Sequence, residues 1–564
     1  MHELYQSHAC DIQRYGGHVP RQLKSMARSR HKKHRARDYR RIFMSDLRRA
    51  EVIPEYYEFQ VRAYRPDRNG CCKQTIHMLL PHEWMGMLYR KRRDLFHKYF
   101  LGDPGDFTEY WLHEVHAEWV KEHPYLQDML PGGPENMHAI GLNLHGDEAR
   151  YVAKSKILIV SITGALCRAF GFLGRLVVAV IPEFMMIPNV TLPAVYARIR
   201  WSFVQLGKGI WPKHDFDEVT PLSTKTLRGK LAGEPLMGGY IGILDGTSAD
   251  LEFYAKTFEG DNYMHNEMCH LCGASKVVPD LFFTQTGPGA GWQRTRVTNR
   301  EWHRRMEQRG SIPELALIPG IHLHRLFLCD LHTTNLGTAG HWAGNAIWEL
   351  INKDKLWAVG AFSRRELQLQ RAFQYYRAWA SARQISSRMS KWTVGTFNMA
   401  KAMKYPFLKA KGIETKYVAT WAAGLVMKFR DGSSHDDLRA AAGWGLMEYY
   451  TAVDSSGRYL EPHMLAMLQR GVAVFLQSYH ALASEAVAAE KRAWRFVPKH
   501  HMHEHISDTV APQVNPSRVS TLGGEDLVGR IGKLASRCHK RDVIHSTLDH
   551  YCVLLGFEWG LLSI

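Results

Sequence analysis

Three carboxylates stand out by where they fall in the chain. Asp147 follows the alternating apolar run AIGLNLHG, Asp250 lies just past GGYIGILDGTSA, and Glu525 opens EDLVGRIGKLA. An acid on a first strand, another after a later strand and a third on a late helix form the kind of set that holds two divalent cations for in-line phosphoryl chemistry. Such cations stand about 3.5 to 4 Å apart, activate the attacking oxygen, stabilise the leaving one, and prefer hard carboxylate oxygens. Among 55 acidic residues, three acids carry no specificity by themselves.

A second group has softer donors. Cys269 and Cys272, in CHLC, have the spacing of half a zinc site, which two further Cys or His ligands must close. His332 and His341 in CDLHTTNLGTAGH, and His500, His501, His503 and His505 in PKHHMHEH, are the candidates. The competing reading is a pair of reduced core cysteines.

These side chains need elements to position them. Ile140, Leu142 and Leu144 alternate and ILIVSI is a continuous apolar run, so the pattern predicts two strands around a polar turn, near 138–146 and 156–162, with Asp147 at the end of the first. A third strand is expected near 240–245, followed by a helix that Asp250 or Ser248 could cap. Open α/β sheets build their sites at such carboxyl ends of strands. The run from Ile157 to Ile187 is the most apolar in the chain. Arg168 and Arg175 interrupt it, and a central charge costs a membrane helix roughly 2.5 to 3.5 kcal/mol, so it reads as a buried strand and helix.

From about Trp348 the pattern changes to helical spacing, with Leu465, Leu468, Val472, Phe475 and Tyr479 at three- and four-residue steps. The expected organisation is a flexible basic arm over 1–50, a small mixed region over 51–135, the first part of an α/β core over 136–351, a helical insertion over 352–495, and the end of the core over 496–564. The turn cluster PGGPEN, residues 131 to 136, marks the second boundary.

Composition narrows the partners. The 564 residues are 45% apolar, enough for a sizeable core and incompatible with wholesale disorder. Lys+Arg 73 against Asp+Glu 55 leaves +18, with basic residues concentrated in RQLKSMARSRHKKHRARDYRRIFMSDLRR, residues 21 to 49. That surplus favours nucleic acid as partner, ahead of an acidic membrane. Nine cysteines in a chain of this length do not make a disulfide framework, which points to a reducing, intracellular compartment and free or metal-bound thiols. The start, MHELYQSHACDIQRYGG, has no signal-peptide core.

Three phrases carry a resemblance. ADLEFYAKTFEGDNYMHNEMCHLCGA resembles the stretch of CACTA-type (En/Spm) DNA transposases in which an Asp opening a helix is followed, across a His-containing turn, by a Cys-x-x-Cys pair. CDLHTTNLGTAGHWAGNAIWEL looks like their Asp-x-x-His segment with its following amphipathic helix, and GEDLVGRIGKLASRCHKR is similar to their late helix bearing the final acid. Together the phrases span about residues 140 to 545. The resemblance implies an RNase H-like mixed sheet interrupted by a helical insertion, with two Mg²⁺ ions on Asp147, Asp250 and Glu525 as catalytic residues. Expected beside it are DNA as partner, a nuclear location, homo-oligomers, and zinc on Cys269, Cys272 and His332. Glu148, Asp245 and Asp526 compete with the three acids as neighbours. Asp330 and His332 are expected to brace the core. The fold class expected is therefore α/β. A copy that keeps the fold and binds DNA without turnover is the alternative.

Overall fold

A computed structural model describes residues 44–45, 47–48, 51–65, 70–152, 155–169, 171–360, 364–386, 389–401 and 403–561. Most of the basic arm lies outside these residues. The fold is mixed α/β: a hairpin of β1 (Tyr57–Tyr64) and β2 (Cys71–Met78), a five-stranded mixed sheet, and many helices.

The sheet follows from the apolar runs. Its strands are β3 (Ala139–Arg150), β4 (Lys156–Gly164), β5 (Leu176–Pro182), β6 (Ile241–Ala249) and the short β7 (Leu326–Leu328), in the order β5-β4-β3-β6-β7. β3 pairs antiparallel with β4 and β4 with β5, whereas β3 runs parallel to β6, Leu144 standing opposite Thr247. The three expected strands are present. The first is longer than its alternation suggested, because Gly146 to Arg150 continue pairing with Lys156 to Val160, and Asp147 therefore lies within β3 opposite Ile159. Between Ile157 and Ile187 the chain forms two strands where a strand and a helix were expected. LVVAVIP is rich in β-branched residues and buried throughout, which suits a strand packed on both faces. Among the described residues no helix is long and apolar enough to cross a membrane.

The chain divides into two compact units, Met1–Thr247 with Gly310–Arg325 and Gly523–Ile564, and Ser248–Arg309 with Leu326–Leu522. In the first unit, α1 (Pro81–Lys91) and α13 (Val543–Glu558) protect the edge strand β5. The Leu79 N–H donates to Val178 O (2.9 Å) and Trp84 Nε1 to Val177 O (2.9 Å), while Tyr551 Oη accepts from Val177 N–H (3.1 Å). Backbone groups that would otherwise template intermolecular pairing are thereby satisfied. The helices α2 (Asp106–Glu114) and α3 (Glu118–Glu122) and the turn ending at Arg325 converge on Asp245, which is fully buried in β6. Its carboxylate takes an ion pair from Arg325 and hydrogen bonds from Tyr110 Oη (2.8 Å) and Asn143 Nδ2 (3.2 Å). Arg325 also donates to Asp245 O (2.8 Å), approaches Glu114 at 3.4 Å, and lies 4.6 Å over the Trp119 ring.

The second unit is mostly helical. α6 (Ala339–Asn352) continues a π-helical turn over Leu331–Thr338, so helix begins before the expected Trp348. Then come α7 (Arg365–Ala382), α8 (Gly412–Lys428), α9 (Ser434–Ser455), α10 (Pro462–Ala488) and α11 (Pro498–His505), with no long helix between 383 and 411 among the described residues. α9 and α10 touch backbone to backbone: a Cβ on Gly445 would meet Gly471 O at 2.4 Å, and one on Gly471 would meet Gly445 O at 2.7 Å. Leu468, Val472, Phe475 and Tyr479 are buried as their spacing predicts, and Leu465 is half-buried. Ser433 caps α9 by accepting from Asp436 N–H.

The Asp245 clamp gives a stability prediction. Arg325→Met leaves the Asp245 and Glu114 carboxylates buried without their cation, and breaking a buried pair from one side costs about 3 to 5 kcal/mol. The urea midpoint should fall accordingly, with a smaller fall for the double variant Asp245→Asn/Arg325→Met. Equal midpoints for the wild type and Arg325→Met would contradict the assignment.

Candidate functional site

In the second unit, Cys269 and Cys272 sit on a tight knuckle. Met268 N–H reaches Ala274 O (3.0 Å), Leu271 N–H points at Cys269 Sγ (3.4 Å), and Gly273 N–H is held by Thr295 Oγ1 (2.8 Å). Both thiols are buried. Facing them, α11 carries His501 and His505 one helical turn apart, hence on one face. The Cys272 Sγ lies 3.3 Å from His501 Nε2 and 3.4 Å from His505 Nε2. One ligand atom from each of the four residues falls within 4.8 Å of all the others. That is a closed set of two sulfurs and two nitrogens, as a structural metal site requires.

The electrostatics suit a cation. Burial opposes a thiolate at Cys269, but hydrogen bonding from Cys272 and the charge on His505 outweigh it and hold this thiol well below its ordinary range. Burial and the neighbouring Cys269 sulfur push Cys272 up. Burial disfavours the His505 imidazolium, yet Cys269 and Asp508 raise it to about 9. His505 Nδ1 stands 3.5 Å from Asp508 Oδ1, and Asp508 is in turn paired with Arg296. A carboxylate on the side of the second ring nitrogen is the usual support of a metal-bound histidine. The Trp292 ring packs edge-on against both imidazoles, with centroids 4.4 Å from His501 and 5.2 Å from His505.

The other candidate histidines are engaged elsewhere. His332 was the expected zinc partner, but it lies outside the four-residue group and its Nδ1 contacts Thr521 Oγ1 at 3.3 Å. His341 packs on Phe407, His500 between Tyr479 and Phe496, and His503 against Thr338 and Tyr449. The periodicity of α11 explains the division, since positions 500 and 503 share one face and 501 and 505 another. Asp330 is buried and accepts from Tyr449 Oη (2.6 Å), and burial raises its pKa.

The three carboxylates are half-buried. Asp147, on β3 of the first unit, accepts from Glu148 N–H (2.6 Å). Glu525 lies in the first turn of α12 (Leu522–Ala535), in the same unit. Side chains at Gly524 and Gly532 would collide with His145 and Ala149, so α12 lies close along the face of β3 that carries Asp147. Asp250, in the second unit, is the N-cap of α5 (Leu251–Phe258), its carboxylate accepting from Phe253 N–H at 2.7 Å. A further residue there carries no motif of its own. Lys499 donates to Leu336 O (3.2 Å), and burial lowers its pKa while Cys329 and Asp250 pull it back up. The two close donor groups among the described residues are the Cys/His set and Glu118 with His322 and His324, and the three carboxylates belong to neither.

Metal analysis of the purified protein should find one tightly held divalent ion that Cys272→Ser or His501→Ala releases, with a fall in melting temperature. Melting unmoved by added divalent metal in a protein purified metal-free would contradict this. No protein-family model matches the chain, and no curated protein matches it at a significant level.

Proposed function

We propose that the protein is a DNA transposase-like enzyme that cuts and joins phosphodiester bonds through Asp147, Asp250 and Glu525. The mixed sheet supports an RNase H-like core, and the helical block between β7 and α12 stands where such a core would be interrupted. The observation that carries the reading is strand register: Leu144 is opposite Thr247 in the parallel pair β3/β6, and Asp147 and Asp250 each follow three residues later along their own segments. The close run of α12 along β3 supports Glu525 as the third acid.

The donor set fits hard cations in kind, being three carboxylates, none of them held in the buried clamp that occupies Asp245. Two Mg²⁺ ions, when bound, supply Lewis-acid activation of the attacking oxygen and stabilisation of the leaving one. The chain's own work is positional. Asp250 is oriented by its cap bond, Asp147 by the strand ladder, and Lys499 adds positive charge near Asp250. The Cys/His set fits zinc, since two thiolates and two imidazoles in a closed site are the ligands that ion favours. Phosphate binding is assigned to the basic arm and to an open cleft of about 850 Å³ whose lining among the described residues includes Arg65, Lys540 and Arg541 and no acid. DNA as substrate carries with it a nuclear location.

Supercoiled plasmid offered with Mg²⁺ should be nicked by the wild type. Asp147→Asn, Asp250→Asn and Glu525→Gln should each lose roughly 10²- to 10³-fold of that activity, with DNA affinity nearly unchanged. Full nicking by Asp250→Asn would refute the site. A wild type that binds DNA but never nicks it would favour a domesticated DNA-binding protein.

Binding itself is tested by salt. Deleting residues 21–49, or reversing charge with Lys540→Glu/Arg541→Glu, should flatten the salt dependence of affinity by about 0.9 in log–log slope for each phosphate no longer neutralised. A slope that neither change moves would remove both surfaces from the DNA interface.

A further inference from the structure

The second gathered donor group lies wholly in the first unit, next to the Asp245 clamp. Glu118 on α3 and His322 and His324 on the turn before Arg325 bring one ligand atom each within 4.8 Å of the others. Glu122, one helical turn after Glu118, faces the same place, its Oε2 3.5 Å from His322 Nε2. The imidazole of His322 is only 4% exposed, while His324 is half-buried and Glu118 exposed. The site is thus anchored in the core and open at its rim.

We infer that Glu118, Glu122, His322 and His324 form a second site for a divalent transition metal of the zinc and cobalt class. Two imidazoles exclude a site built for Mg²⁺ or Ca²⁺, which take oxygen ligands, and two carboxylates supply the charge that neutralises a dication. The donors come from two segments already joined. Arg325, next to His324, lies over the ring of Trp119, next to Glu118, and Trp119 Nε1 donates to Glu114 Oε2 at 2.8 Å. The backbone that carries the ligands is therefore fixed before an ion arrives, which lowers the ordering cost of binding. Loading through His322 Nε2 requires the tautomer with its proton on Nδ1. The 3.2 Å approach of the His324 N–H to that nitrogen must then open, so the site binds more weakly than the closed Cys/His set. An ion here cross-links α3 to the turn that delivers Arg325 to Asp245.

The full-length protein, stripped with chelator and titrated with Co²⁺, separates the two sites. With excess Mg²⁺ present to occupy hard-cation sites, the wild type should take up two equivalents of Co²⁺, the tighter one showing thiolate-to-cobalt charge transfer and the weaker one only the d–d bands of nitrogen and oxygen ligands. Glu118→Gln and His324→Gln, both at the open rim, should weaken the second class roughly tenfold or more and leave the charge-transfer band intact, with unchanged circular dichroism. Cys272→Ser should do the reverse. A single equivalent in the wild type, or a second class that neither Glu118→Gln nor His324→Gln moves, would overturn the inference. Neither result depends on whether the protein cuts DNA.

Discussion

The convergence of Cys269, Cys272, His501 and His505 is the constraint on which the second unit depends. Cys272 and His501 are 229 positions apart, and nearly the whole helical block lies between them. Closing a loop of that length costs about 5 kcal/mol beyond a constant. Two hydrogen-bonded thiols return about 1 kcal/mol apiece, far less than closure requires, whereas a structural zinc contributes about 10 to 16 kcal/mol in small domains. The knuckle and the single turn of α11 are stiff, so an ion held there would fix both ends of the bundle through four ligands from two short segments. Packing of α9 on α10 through Gly445 and Gly471 then orders what lies between.

The first unit solves a different problem, how to keep a charge inside β6. Asp245 is tolerated there because Arg325, Tyr110 and Asn143 satisfy it. A carboxylate so engaged cannot also present itself to a mobile cation. Asp250 lies five residues on, where β6 has ended and a helix begins, and its environment is a backbone N–H in place of a guanidinium. Two aspartates on one short segment thus have separate uses, set by burial and by partner.

Much of this was legible in the sequence. Alternation at Ile140, Leu142 and Leu144 and the run ILIVSI mark β3 and β4, and capping chemistry marks Asp250. The Cys-x-x-Cys spacing marked half of the Cys/His set. Which histidines close it was not legible, because PKHHMHEH offers four, and only the helical phase separates the pair facing the knuckle from the pair packed among aromatics. β5 was hidden because a fully buried run has no alternation to set it apart from a helix. Arg325, Glu118 and His322 carry no local pattern at all; their partners lie tens to hundreds of residues away.

The neighbours of the three carboxylates are committed to structure. Glu148 is paired with Lys156 at 2.7 Å, Asp245 with Arg325, and Asp526 both with Arg530 at 3.3 Å and with the Phe172 N–H at 3.0 Å. Each therefore holds a structural element: the β3/β4 hairpin, the buried end of β6, and the turn before β5. Asp526 is instructive, because it points from α12 to the Gly171–Phe172 turn, while the preceding Gly524 lets the helix close on His145 of β3. The helical phase of 100° per residue separates Glu525 from both Asp526 and Gly524, giving it a direction of its own between the turn and the strand.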